Sequence, residues 1–217
     1  MHELMEAVRQ GDAARVARLL DDDPTLLRAS ANGVSAILLA MYCGHPSIAQ
    51  LFVDRGAILS FHEACAFGDE ATASRLLDAD RSLLDKLGDD GFPPLGLAIF
   101  FRHPSLARRL IEEGADVTTV AGNAQRVAPV HAAAAVSDHE TMKLLLDRGA
   151  DPNARQQLDY TPLFAAASRG DLILLKLLIE RGADAQARSS DGKSAIDIAR
   201  DRGQEEFARW MEQHGGG

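Results

Sequence analysis

Five internal histidines, two cysteines and two short acidic runs are the residues of this chain best suited to chemistry. Two histidines with a carboxylate at ligand spacing would hold zinc, and a histidine beside a thiol or hydroxyl would serve a nucleophile. His45, His62, His103, His131 and His139 are scattered, and no two of them stand with a carboxylate at such a spacing. Cys43 and Cys65 make neither a disulfide framework nor a zinc ligand set, which fits a reducing compartment. Cys65 reads as a buried apolar filler, and Cys43 has no base placed to activate it. Asp21-Asp22-Asp23 and Asp89-Asp90 lack the ligand spacing of a calcium loop and read as solvated turns. There is no glycine-rich phosphate loop, nucleophile elbow or paired-carboxylate cleft. The expectation is a non-enzyme with no catalytic residue, metal or cofactor.

Composition narrows the class further. The 217 residues carry a net charge of −9 and are 46% hydrophobic, ordinary values for a folded domain and far from those of a disordered chain. The acidic balance argues against binding a phosphate backbone, so no nucleic-acid partner is expected. No apolar run is long enough to span a bilayer, and the first residues lack a basic segment followed by an apolar one. The expected place is cytoplasmic, with secretion as an effector left open, and the expected state is a monomer.

The elements that position these residues repeat. Ala7, Ala40, Ala64, Ala98, Ala133, Ala166 and Ala199 are spaced 33, 24, 34, 35, 33 and 33 residues apart. Four places after each stands Gly11, Gly44, Gly68, Arg102, Ser137, Gly170 or Gly203, and a second apolar segment follows, as at Leu145-Leu146 and Leu178-Ile179. Each period reads as two short helices. Asp12, Asp69, Asp138 and Asp171 are placed to cap the second helix, which Pro46 and Pro104 open in their own periods. Gly56, Gly114, Gly149 and Gly182 stand where a left-handed residue ends that helix. Thr161 reads as an N-cap followed by Pro162 at the first helical place, with Pro94 and Pro129 equivalent. No pair can bury its own apolar face, so stability is shared between neighbours. Leu145→Ala or Leu178→Ala should cost roughly 2–5 kcal/mol.

Tyr160-Thr-Pro-Leu-Phe-Ala-Ala-Ala-Ser-Arg-Gly170, with Leu177-Leu-Ile-Glu-Arg-Gly-Ala-Asp184, resembles an ankyrin repeat. Ala128-Pro-Val-His131 with Gly149-Ala-Asp-Pro-Asn-Ala154 resembles a second, and Gly114-Ala-Asp116 ends a third. The resemblance implies an all-α repeat solenoid of about seven helix-turn-helix units with short β-hairpin fingers. The units fall near 1–30, 31–59, 60–88, 89–122, 123–156, 157–189 and 190–214, in one domain over 1–217 whose tail, 215–217, is expected to be disordered. It further implies that His62 and His131 stand at the histidine of the family's signature and bond neighbouring backbone. His45, His103 and His139 fall at or beside second-helix caps.

Three departures stand out. The short spacing before Ala64 leaves no room for a finger, so a gap is expected between the second and third units. The first and third units end in Asp23-Pro-Thr-Leu-Leu27 and Asp80-Arg-Ser-Leu-Leu84, read as variant helix ends with a leucine pair tucked beneath. Val120-Ala-Gly-Asn-Ala-Gln125 makes a longer finger, expected to be more mobile.

By the resemblance, the fingers and the exposed ends of the first helices form a concave binding surface. The residues before the signature and before the inter-helix turn should point into it. The candidates are Val34, Tyr42, Phe67, Phe92, Phe101, Val127, Val136, Tyr160 and Arg169. Phe100 and Phe101 are adjacent, so they point about 100° apart on a helix and at most one faces fully outward. The expected function is a protein–protein interaction module that grips a partner protein or peptide. The alternative is an inhibitor or host-directed effector that occludes an enzyme. The net charge would favour a basic partner.

Overall fold

A computed structural model describes residues 1–214; the tail at 215–217 lies outside the described residues. The described residues form fourteen α-helices, two to each repeat along the chain, and almost no sheet. The fold is an all-α repeat solenoid. The chain divides into two compact units, Met1–Leu106 and Ala107 onward.

The first unit holds α1 (His2–Gln10) with α2 (Ala13–Asp22), α3 (Ala36–Tyr42) with α4 (Pro46–Asp54), α5 (Phe61–Phe67) with α6 (Glu70–Ala79), and α7 (Pro94–Phe100). The boundary falls within α8 (Pro104–Glu112). The second unit continues with α9 (Pro129–Val136) and α10 (His139–Asp147), α11 (Pro162–Arg169) and α12 (Leu172–Glu180), and α13 (Ala195–Asp201) and α14 (Glu205–His214). All seven repeat alanines are fully buried, because only a methyl fits between helices that approach so closely. Leu145 and Leu178 are fully buried as well.

The caps follow the chemistry of the residues. Asp12, Asp69, Asp138 and Asp171 each accept the backbone N–H three residues ahead, at 2.9–3.0 Å, and so satisfy donors that a helix start leaves open. Ser60 and Glu63 form a reciprocal capping box on α5. Thr161 holds the N-cap place of α11, but its side chain makes no cap bond and its hydroxyl is buried without a partner. The N–H it would have capped, that of Phe164, goes instead to the carbonyl of Thr161 itself at 3.1 Å. The first and third pairs end as expected. Asp23 and Asp80 each open a 3₁₀ turn, at Pro24–Arg28 and Arg81–Leu83, that tucks leucines below the helix. Leu26, Leu27 and Leu83 are half-buried and Leu84 is buried.

Successive pairs are also tied by side chains that the repeat pattern does not announce. Arginines at the ends of second helices reach back one pair. Arg55 meets Asp21 at 2.9 Å, Arg148 donates to the Ile111 carbonyl at 3.2 Å, and Arg181 meets Asp147 at 2.6 Å. These guanidiniums sit at helix C-termini, where the macrodipole favours a cation.

Strand pairing is sparse. β1 (Ser30–Ala31) pairs antiparallel with β2 (Val34–Ser35) across an Asn32-Gly33 turn, and a single bridge joins Arg188 to Ser194. No finger stands between α4 and α5, as the short spacing requires, but the result is not an open gap. The hairpin 30–35 meets the turn 88–92 directly: a Cβ on Gly33 would lie 2.3 Å from the carbonyl oxygen of Asp89. Removing one finger brings its two neighbours together.

Candidate partner-binding surface

The candidate positions lie at the ends of the first helices and on the fingers. In the first unit three of the rings pack on one another. Tyr42, the last residue of α3, sits 5.5 Å from Phe101 and 6.1 Å from Phe92 between ring centroids. Its hydroxyl donates to the Asp90 carboxylate at 2.8 Å, and the same carboxylate accepts the N–H of Phe92 at 3.0 Å. Burial, followed by the neighbouring carboxylate, raises the Tyr42 phenol well above its ordinary range. Tyr42, Phe92 and Phe101 are half-buried, so this cluster closes the missing-finger site and presents only its outer edges.

Phe100 is the outward ring of its pair, 47% exposed, while Phe101 at the helix end turns toward Tyr42. Phe67, at the end of α5, and Val34, on β2, are half-buried.

In the second unit Val127 and Tyr160 are half-buried, with the Tyr160 ring 5.3 Å from the core ring of Phe164. Arg169 is exposed, and its guanidinium donates to the Ala135 carbonyl. Val136 is not a surface residue: it is 7% exposed. The helix that carries it, Pro-Val-His-Ala-Ala-Ala-Ala-Val, is apolar around its whole circumference, and the half-exposed place falls to Ala135. Two further exposed side chains, Arg126 and Leu158, lie on fingers, and no repeat position pointed to them.

The histidines serve the scaffold. His131 is 4% exposed; its Nδ1 accepts the Ala128 N–H at 3.1 Å. Nε2 therefore carries the proton and donates to the carbonyls of Ala154 at 2.9 Å and Tyr160 at 3.2 Å. His62 bonds the Lys86 carbonyl at 2.7 Å, but it stands second on its helix, and the third place belongs to Glu63. Burial holds both rings below the ordinary histidine range. His45 holds the N-cap place of α4 without a side-chain cap bond. His45 and His103 each reach a carbonyl of the preceding pair, Arg9 at 3.3 Å and Ala66 at 2.9 Å. His139 meets Asp171 at 2.8 Å. Among the described residues no group of three His, Cys, Asp or Glu could hold a metal ion, and no helix is long and apolar enough to cross a membrane.

A uniform framework of buried alanines and capped helix pairs, with differing side chains at repeated edge positions, defines a helical-repeat scaffold. A family model of ankyrin repeats in three copies matches residues 61–156 and 130–216. The chain belongs to the ankyrin-repeat family, whose repeats are generally protein–protein interaction modules and typically non-catalytic. A search of curated proteins returns no match. Residues 1–60 lie outside the matched ranges, yet α1 to α4 show the same pairing, the same aspartate cap at Asp12 and the same left-handed glycines at Gly11, Gly44 and Gly56.

Proposed function

We propose that this chain binds a partner protein or peptide through the fingers and the ends of its first helices, and that it catalyses no reaction. The observation that carries the reading is a contrast between positions of the repeat. Framework places hold the same small or aliphatic residues in pair after pair and are buried. The edge places hold Val34, Phe67, Phe92, Phe101, Val127, Tyr160 and Arg169, which differ from pair to pair and keep part of their surface in water. A scaffold that varies only where it meets solvent is suited to display.

Phe67 and Tyr160 are the anchors best suited to a test, because neither belongs to the Tyr42–Phe92–Phe101 cluster. Affinity capture with the wild type is set beside capture with Phe67→Ala/Tyr160→Ala, after circular dichroism shows that the variant is folded. At least one captured protein should be lost by the variant, with a weakening of about tenfold or more. Full retention of every captured protein by the folded variant would end the reading.

A further inference from the structure

We infer that the fingers of the second unit, at Arg126, Leu158 and Arg188, bind a short, extended, acidic segment of a partner protein that also carries one large apolar side chain. The inference rests on the binding-module reading above and adds the chemistry of the partner. Two independent observations support it.

The first is backbone strain placed at exposed finger tips. The turns 88–92 and 189–193 share one design. The first residue donates its N–H to the fifth carbonyl, the fourth donates to the first carbonyl, and the fourth is a left-handed glycine, Gly91 at φ 84° or Gly192 at φ 81°. The turn 156–160 makes the same two bonds, but Asp159 at φ 58° stands in the glycine's place, and Leu158 before it is left-handed as well, at φ 64°. In the finger 121–127 the equivalent residue is Arg126, at φ 52°. Side chains with a Cβ are disfavoured in this region, and a leucine gains no local hydrogen bond in return. Such strain persists only where neighbours hold it, and it concentrates at functional sites. Here the neighbouring fingers hold it: Gln157 N–H donates to Gln125 O at 2.9 Å, and Ser190 N–H donates to Leu158 O at 3.0 Å. The three fingers form a tied row with the Leu158 side chain 60% exposed.

The second is charge. Arg126 is exposed and meets no carboxylate at ion-pair distance among the described residues. Arg188 donates to the Gly192 carbonyl at 2.8 Å, and its own carbonyl accepts from Arg155 at 3.3 Å. A guanidinium steadied by a carbonyl keeps its charge available for an incoming carboxylate, which it can grip with two parallel hydrogen bonds. Leu158 lies on the finger between these two arginines and offers the apolar contact. The fingers also carry Asp159, which Arg155 meets at 3.9 Å, and Asp191, which Ser189 holds, and Asp197 lies near Arg188. Across 121–127, 155–160 and 188–194 the cations Arg126, Arg155, Arg188 and Lys193 still outnumber Asp159 and Asp191, so this row is basic within a chain that is −9 as a whole.

The test is selection of displayed random short peptides on the full chain. Affinities of the selected peptides are then measured by fluorescence anisotropy on wild type, Leu158→Asn and Arg126→Gln/Arg188→Gln. Asparagine tolerates the left-handed region, so Leu158→Asn should unfold at higher urea than the wild type while losing the apolar contact. Selected peptides should be net negative with one large apolar residue. They should bind each variant about tenfold more weakly and weaken with added salt. Neutral or basic selected peptides, affinities unchanged in both variants, or a selection that yields no binder would each overturn the inference. So would a single-stranded DNA oligomer that binds as tightly and with the same dependence on Leu158. The capture experiment with Phe67 and Tyr160 leaves these three residues intact, so the broader reading survives or fails separately.

Discussion

His103 occupies the space that a side chain on Gly68 would need. The ring reaches back one helix pair to bond the Ala66 carbonyl at 2.9 Å, and a Cβ on Gly68 would lie 2.3 Å from its Nδ1. Gly68 also holds φ 81°, so the position is constrained twice. Gly44 fills the same place in the second pair at φ 75°, with nothing within 4 Å of its would-be Cβ. Gly44→Ala should cost about 1–2 kcal/mol from the backbone alone. Gly68→Ala should cost about 1 kcal/mol or more beyond that, because the histidine must move. Urea midpoints decide it, and equal losses for the two variants would remove the packing role of His103.

The same turn holds a residue with a side chain in two pairs. Arg102 sits at φ 64° and Ser137 at φ 54° where their counterparts are glycine. Arg102→Gly should raise stability by about 1 kcal/mol or less, the relieved strain being partly offset by the freer unfolded chain. Ser137→Gly also removes the hydrogen bond that the hydroxyl gives Asp171 and should gain less. The melting temperature should rise in Arg102→Gly and rise less in Ser137→Gly, and a fall in Arg102→Gly would show that its side chain contributes packing that the backbone argument omits.

Acid should weaken the fold in two stages. Burial holds His62 and His131 below the ordinary histidine pKa of 6.5, so the unfolded chain takes up protons first. Stability from these rings is complete above about pH 6.5 and is lost as pH falls toward their folded values, where it levels off. Burial pushes Asp171 up, but the Leu174 N–H and the His139 ring outweigh it and hold the carboxyl below 3.8. That contribution disappears only as pH falls through the folded value. Urea midpoints measured from pH 8 downward should begin to drop near pH 6.5, and a profile flat to pH 5 would contradict the histidine assignment.

The two thiols should react at different rates. Cys43 is exposed, whereas Cys65 is fully buried on α5, where burial pushes its pKa up to about 12. A thiol-specific reagent should label Cys43 in the native protein and both residues in urea. Rapid native labelling of Cys65 would mean that α5 opens locally.

What could be read directly was what local chemistry controls. The aspartate caps, the left-handed glycines and the leucines below the 3₁₀ turns depend on residues within a few places of one another, and each is found where the spacing puts it. The surface was less legible. By its place in the period Val136 should face outward, and it is buried, while Phe101 keeps only part of its ring in water. Yet a ring at a helix end turns to its best neighbour, and a helix that is apolar all round buries nearly everything. Arg126 and Leu158 carry no motif, since nothing in a leucine or an arginine signals a left-handed backbone.

The one-dimensional pattern determined the helix pairs, their order and the place where a finger is missing, because each follows from periodicity and capping along the chain. Only the folded arrangement decided that Gly33 and Asp89, far apart in the chain, close over the missing finger, that Tyr42 spends its hydroxyl on Asp90, and that neighbouring fingers hold Leu158 in strain. Those outcomes depend on which surfaces meet across pairs, and a contact between distant residues leaves no mark in the spacing of either one.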